Sequence, residues 1–296
     1  QSIGFFDGTN YATMGWRHRH GQVLTDNRMV LNTTSLATLI RPTNSSSLEH
    51  QVTAAFAANK VTLTKSGTQN GAANMVAALF GGTDTLAQVG TVAALTSIGG
   101  TVNITLPWIP SIGFLIVGNG AFDGTVRNGT KLSLAVVTGV SNQNAVTLES
   151  PHGVLPVTLT ERIGTGFICR DFTSGQTHEI TAWGTTTTIR TNTATGVRTY
   201  GYLFLKFDTG LVSAGIQTIP TATGNKAYTL STPLNPSIVG MIGTLIRTLA
   251  TNITDTDANA LAFGLLTPTA EHSLAVADVD AAAATTNTNS VYAAKS

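Results

Sequence analysis

The sequence predicts a mainly β protein, a sandwich, a jelly-roll-like fold or a barrel, with a small helical portion in its first third. Three observations lead there. Threonine accounts for 51 of the 296 residues, and a β-branched side chain is stiff at χ1 and sits well on a pleated surface. Several short stretches alternate apolar and small polar residues with period two. Between them fall Asn-Gly and Asp-Gly pairs, which supply the φ > 0 positions that tight hairpins require.

Residues 1–98 read as a mixed region of arm, short helices and few strands. Ser46 and Glu49 have capping-box spacing, and Val52, Ala55 and Phe56 follow at helical intervals. Residues 71–80, with Met75, Val76, Leu79 and Phe80, and residues 84–95 also fit short helices. Both are Ala-rich and almost free of charge, so they are expected to be buried or packed on a neighbouring subunit.

Residues 99–280 are expected to form a β-sandwich core. The segments 130–138, 145–149, 157–160 and 200–207 alternate with period two. Turn signals separate them: Asn119-Gly120, Asp123-Gly124, Asn128-Gly129, Ser150-Pro151, Asp208-Thr209-Gly210 and Thr223-Gly224-Asn225. Short strands at such spacing are the pattern of sandwiches and barrels. The run Thr185-Thr186-Thr187-Thr188 lies in a strand or hairpin whose outer face is wetted by hydroxyls instead of charges. Near the end, Ile238, Val239, Met241, Ile242, Leu245, Ile246 and Leu249 follow a helix period, with Pro236 in the first turn and Gly240 and Gly243 against it. Residues 281–296 read as a C-terminal arm or tail.

Composition excludes several classes of function. Only 10% of residues are charged and the formal net charge is +1, whereas an average soluble domain has about 25% charged residues. Counterion release needs a basic surface, so contact with nucleic acid is at most peripheral. A hydrophobic content of 42% is too high for a disordered chain. The longest apolar stretch, residues 109–117, is broken by Pro110 and Gly113 and falls short of the ~18 residues of a membrane span. Cys169 is the only cysteine, so no intrachain disulfide exists. Within Gly166-Phe167-Ile168-Cys169 it reads as a small buried hydrophobe. With Gln1 in place of Met, a segment is expected to have been removed or left out of the numbering; a signal peptide or a maturation cleavage would each explain it. The five sequons, at Asn32, Asn44, Asn103, Asn128 and Asn252, are about what chance yields from 19 Asn in a Ser/Thr-rich chain.

No motif survives as a catalytic or cofactor signature. Gly118-Asn119-Gly120 with Gly124 follows an apolar strand, but Val126-Arg127-Asn128-Gly129 continues as a turn where a dinucleotide site needs a helix N-terminus. Asp255-Thr256-Asp257 begins like a calcium loop. Ala260 then stands where glycine is needed, and Leu266 where a bidentate Glu is needed. His178 and Glu179 are adjacent on a strand and so point to opposite faces, which removes them, with nearby Asp171, as an acid–base pair. No enzyme, cofactor or metal is expected.

Two features remain as contact candidates. Arg17-His18-Arg19-His20 is the only cationic cluster, with the arginines on one face of a strand and the histidines on the other. It is a possible contact to another subunit or to nucleic acid, and two histidines alone do not complete a metal site. Trp108, flanked by Pro107 and Pro110, is a rigid anchor for the core or for a neighbouring subunit.

The expected function is that of a structural, self-assembling subunit, a virion capsid or capsid-decoration protein whose partners are other copies and other virion proteins. Near-neutral charge lets identical copies approach without long-range repulsion. The alternative is an extracellular, pilus-like filament subunit joined by donor-strand exchange through residues 1–6 or the C-terminal tail.

Overall fold

The alternating segments of the sequence become strands. In Thr130–Gly139 and Asn142–Ser150 almost every side chain is covered, which happens only when a strand is packed on both faces. The computed structural model describes residues 2–17, 27–40, 48–58, 60–67, 78–80, 83–92, 97–150, 152–153, 159–170, 175, 177–192, 198–209, 212–216, 227, 239–244, 253–255, 259–278 and 289–295.

In chain order the described strands of the first third are β1 (Ser2–Phe6), β2 (Tyr11–Arg17), β3 (Arg28–Asn32), β4 (Ala37–Ile40), β5 (Leu48–Ala57), β6 (Lys60–Gly67) and β7 (Thr85–Val92). The middle holds β8 (Thr101–Thr105), β9 (Ile112–Gly118), β10 (Arg127–Asn128), β11 (Thr130–Gly139), β12 (Asn142–Ser150), β13 (Leu159–Thr165), β14 (Cys169–Arg170), β15 (Thr177–Ala182), β16 (Thr186–Thr191) and β17 (Thr199–Phe207). Towards the C-terminus follow β18 (Val239–Thr244), β19 (Ile253–Asp255), β20 (Asn259–Thr267), β21 (Ala270–Asp278) and β22 (Asn289–Lys295).

These strands form five antiparallel sheets. The largest has the order β19-β13-β12-β11-β9-β17-β7. A threonine-rich sheet runs β14-β15-β16-β8, an N-terminal sheet β1-β2-β3-β10, a C-terminal sheet β18-β20-β21-β22, and a three-stranded sheet β4-β5-β6.

The seven-stranded sheet carries a core on each face. On one, Leu115, Val117, Ala135, Tyr200 and Phe204 pack with Ile104, Ile180 and Ile189 of the threonine-rich sheet. On the other, Ile116, Leu132, Leu134 and Val146 pack with Met14, Met29 and Leu31 of the N-terminal sheet, and Leu261 of β20 joins them. Burying a large apolar side chain is worth about 1.5–3 kcal/mol. The two opposed clusters therefore explain why a chain without a disulfide can hold its sheets together.

The described residues contain no helix, and several sequence expectations are corrected. Residues 48–57, read as a helix, are β5; Val52 and Ala54 are buried on its period-two face, and the strand is laddered to β4 on one side and β6 on the other. Residues 84–95 contain β7, paired with β17 from Thr85 to Val92. Within 236–249, residues 239–244 are β18, paired with β20, and residues 236–238 and 245–249 lie outside the described residues. Spacing alone does not separate period 3.6 from period 2 in short apolar runs; hairpin pairing decides for β5, and ladders to more distant strands for β7 and β18. Of the helix expected at 71–80, residues 71–77 lie outside the described residues and 78–80 are without regular structure. In the expected tail, residues 289–295 are β22, paired with β21.

The turn glycines behave as expected. Gly120, Gly124 and Gly129 have φ of 105°, 77° and 76°, and the chain passes from β9 through them into β10 and β11 with no helix to hold a pyrophosphate.

Candidate functional site

The threonine-rich sheet shows how its sequence builds a surface. In β16 (TTTIRT) alternate side chains, Thr187, Ile189 and Thr191, are buried, while Thr186, Thr188 and Arg190 face outward. In β8 the outward set is Thr101, Asn103 and Thr105. The register places Thr186 opposite Thr105, Thr188 opposite Asn103 and Arg190 opposite Thr101. Thr188 Oγ1 donates to Asn103 Oδ1 at 2.8 Å, and Arg190 forms an ion pair with Glu179. With strands ~4.8 Å apart and same-face residues about two rises along each strand, this face is a grid of hydroxyls and amides around the Arg190–Glu179 ion pair, with Arg170 of β14 opposite Thr177 on the same face.

The edge strand of that sheet, β8, carries no charged residue and no proline. Natural edges are usually guarded by Lys, Pro, bulges or cover. Edge strands β1, β4 and β18 likewise carry no charged residue and no proline, whereas two other edges are guarded. Along β6 stand Lys60 and Lys65. The β7 edge is plugged where Asp7 Oδ2 accepts the N–H of Val89 at 2.7 Å.

A second exposed feature is aromatic. Phe56 on β5 and Leu63 on β6 are 52% and 50% exposed and lie on one face of the hairpin, since Phe56 pairs with Val61 and Ala54 with Leu63. The Phe56 ring is 4.8 Å from Phe6, which stacks on Tyr11 at 4.3 Å. Sequence reasoning missed this group because it placed Phe56 on a helix. The signal available was the alternation Val52, Ala54, Phe56.

The residues singled out from sequence fall as follows. Arg17 ends β2 opposite Arg28 and is buried; His18, Arg19 and His20 lie outside the described residues. Trp108 is half-buried against the first core cluster, as is Trp183. Trp183 Nε1 donates to the Pro110 carbonyl at 3.0 Å, and its ring meets Phe204 edge-on. Glu179 faces out to Arg190 and His178 faces into the core, so the two diverge as strand geometry requires. Cys169 is buried, and burial pushes its thiol pKa up, away from the nucleophilic thiolate. Asp171 and Asp257 lie outside the described residues.

Among the described residues no group of three His, Cys, Asp or Glu side chains could hold a metal ion, and no helix is long and apolar enough to cross a membrane. The described surface offers hydrogen bonding, ring contact and an uncharged strand edge. No family model matches the chain, no curated protein is significantly similar to it in sequence, and no solved structure matches its fold.

Proposed function

We propose that the chain is a non-enzymatic structural subunit that assembles with copies of itself, as a virion capsid or capsid-decoration protein. One observation carries this reading: the uncharged edge at β8, covered among the described residues only where Gln88 Nε2 donates to the Thr105 carbonyl at 3.5 Å, bordering a hydroxyl-lined sheet face. Two such edges, one from each copy, can pair antiparallel about a two-fold axis and extend the sheet from one subunit into the next. The opposed cores on the seven-stranded sheet support a sandwich- or jelly-roll-like layering as the rigid body of such a subunit. Its partners are then other copies and other virion proteins, with nucleic acid at most peripheral.

The test is assembly itself. Negative-stain microscopy and sedimentation of concentrated protein should show closed shells or regular oligomers, and uniform monomers would sink the proposal. Replacing Thr101 and Thr105 by lysine puts like charges across a β8–β8 junction. Assembly should be lost while the thermal midpoint stays near that of the native chain.

A filament joined by donor-strand exchange is the second reading. It is favoured by β1, an edge strand that among the described residues is laddered to β2 alone. Deleting residues 1–6 should abolish polymerisation in a filament and leave a shell largely intact.

A further inference from the structure

His178 on β15 has Cys169 opposite it on β14 and Thr191 opposite it on β16. Direct partners project to one face of a sheet, and here that face meets the seven-stranded sheet. His178 and Thr191 are fully buried and Cys169 nearly so. From across the interface, Tyr200 on β17 brings its hydroxyl to His178 Nδ1, with the two rings 5.6 Å apart. The other ring nitrogen, Nε2, has no hydrogen-bond partner among the described residues.

A neutral imidazole is compatible with these surroundings and an imidazolium is not. The neutral ring shares one proton with the Tyr200 hydroxyl and leaves a single ring nitrogen unmatched. The protonated ring has two N–H donors, one of them without an acceptor, and a full charge beside Ile180 and Ile189 of the same core cluster. An unpaired buried charge is far more costly than an unpaired neutral group.

The ionisable groups packed around it offer no compensation. Facing His178 are Cys169 on β14 and Tyr200 on β17. Lys131 on β11 and Glu149 on β12 lie on the same face of the seven-stranded sheet and bond each other at 2.6 Å. Arg198, just ahead of β17, and Glu149 act on Cys169. Glu179 and Arg190, on the strands of His178 and Thr191, face the other way and pair together. Burial accordingly lowers the pKa of His178 to about 4 from an ordinary 6.5.

We propose that His178 is an acid-sensitive latch between the threonine-rich sheet and the seven-stranded sheet: protonating its ring puts an uncompensated cation into their shared core and releases β14–β16 from β17. The latch belongs to the single chain and does not depend on assembly.

The sign follows from linkage. The unfolded chain takes up the proton near pH 6.5 and the folded chain only near pH 4, so stability is complete above 6.5 and falls as the pH drops between the two values. The unfolding constant should rise about tenfold per pH unit across that window, about 300-fold in all.

The experiment is denaturation between pH 4 and 7.5 on the native chain and on His178→Gln, whose amide can still meet Tyr200 but does not titrate, together with amide exchange resolved by strand. In the native chain acid should speed exchange at Ile180 and Ile189 ahead of Met14 and Leu31, and His178→Gln should lose that part of the pH dependence. Equal slopes in both proteins would overturn the proposal. Should His178→Gln fail to fold, the ring titration of the native chain decides by NMR: a midpoint near 4 supports the latch, and one near 6.5 refutes it.

Discussion

The Tyr11 hydroxyl donates to the carbonyl of Ala54 at 2.7 Å and accepts from the amide of the same residue at 3.2 Å. The ladder from β4 to β5 ends at Ala37 and Val52, with Leu36 N–H bonded to the Val52 carbonyl. One step further along β5 there is no strand residue to pair, and a side chain from β2 completes both backbone bonds. Tyr11→Phe removes the hydroxyl and keeps the ring stacked on Phe6. It should cost about 1–3 kcal/mol, the range for leaving partly buried backbone groups unpaired, measured from the denaturant midpoint at unchanged m-value.

Asp7 ties two sheets together. Its carboxylate accepts from the amides of Thr9 and Asn10 beside β2 and of Val89 on β7. Burial alone would raise its pKa, but the backbone bonds of Asn10, Val89 and Thr9 outweigh burial and lower it. A lowered carboxylate stabilises the fold above its unfolded value near pH 4 and loses that contribution as the pH falls through the folded value. Asp7→Asn should weaken the native chain at pH 7 by about 1–2 kcal/mol and flatten its stability below pH 4. Unchanged acid dependence in Asp7→Asn would count against this role.

Gly15 is required by a close approach. A Cβ there would lie 2.2 Å from the Thr38 carbonyl oxygen, where β4 packs on β2. Gly15→Ala should destabilise by at least the 1–3 kcal/mol typical of overpacking, since the obstacle is backbone. Gly139→Ala is the control: nothing lies within 4 Å of its Cβ position, and the midpoint should move by less than about 0.5 kcal/mol.

Cys169 should be inert while the chain is folded. It is 2% exposed and burial holds the thiol protonated, so a thiol reagent at pH 8 should label it only as fast as the protein opens. Rapid stoichiometric labelling under native conditions would contradict the packing of β14.

The strands easiest to read in the sequence were those with clear period-two alternation next to turn signals. β11, which follows Gly129 at positive φ, and β12 and β17 fall almost where that alternation places them, and the hydroxyl face of β16 follows from four threonines in a row. Harder were β5, β7 and β18. Their apolar residues are alanines, glycines and a few larger side chains, and their pairing depends on partners that are distant in sequence for β7 and β18. Contacts such as Tyr11 with Ala54, or His178 with Tyr200, leave no local trace, because they arise where one sheet crosses another. The divergence of His178 and Glu179 was legible, since it needs only the alternation of a strand.

The pairing of Thr85 with Phe207 at the edge of the seven-stranded sheet has a consequence for biosynthesis. At ~5–20 residues per second, a ribosome leaves β7 without its neighbour for several seconds or more while the intervening strands emerge. Through that interval the nascent chain carries an uncharged strand with nothing beside it, open to wrong partners. Slower translation of the middle of the message would lengthen the exposure. Yield in a foreign host should therefore respond more to chaperone supply and growth temperature than to the stability of the finished fold.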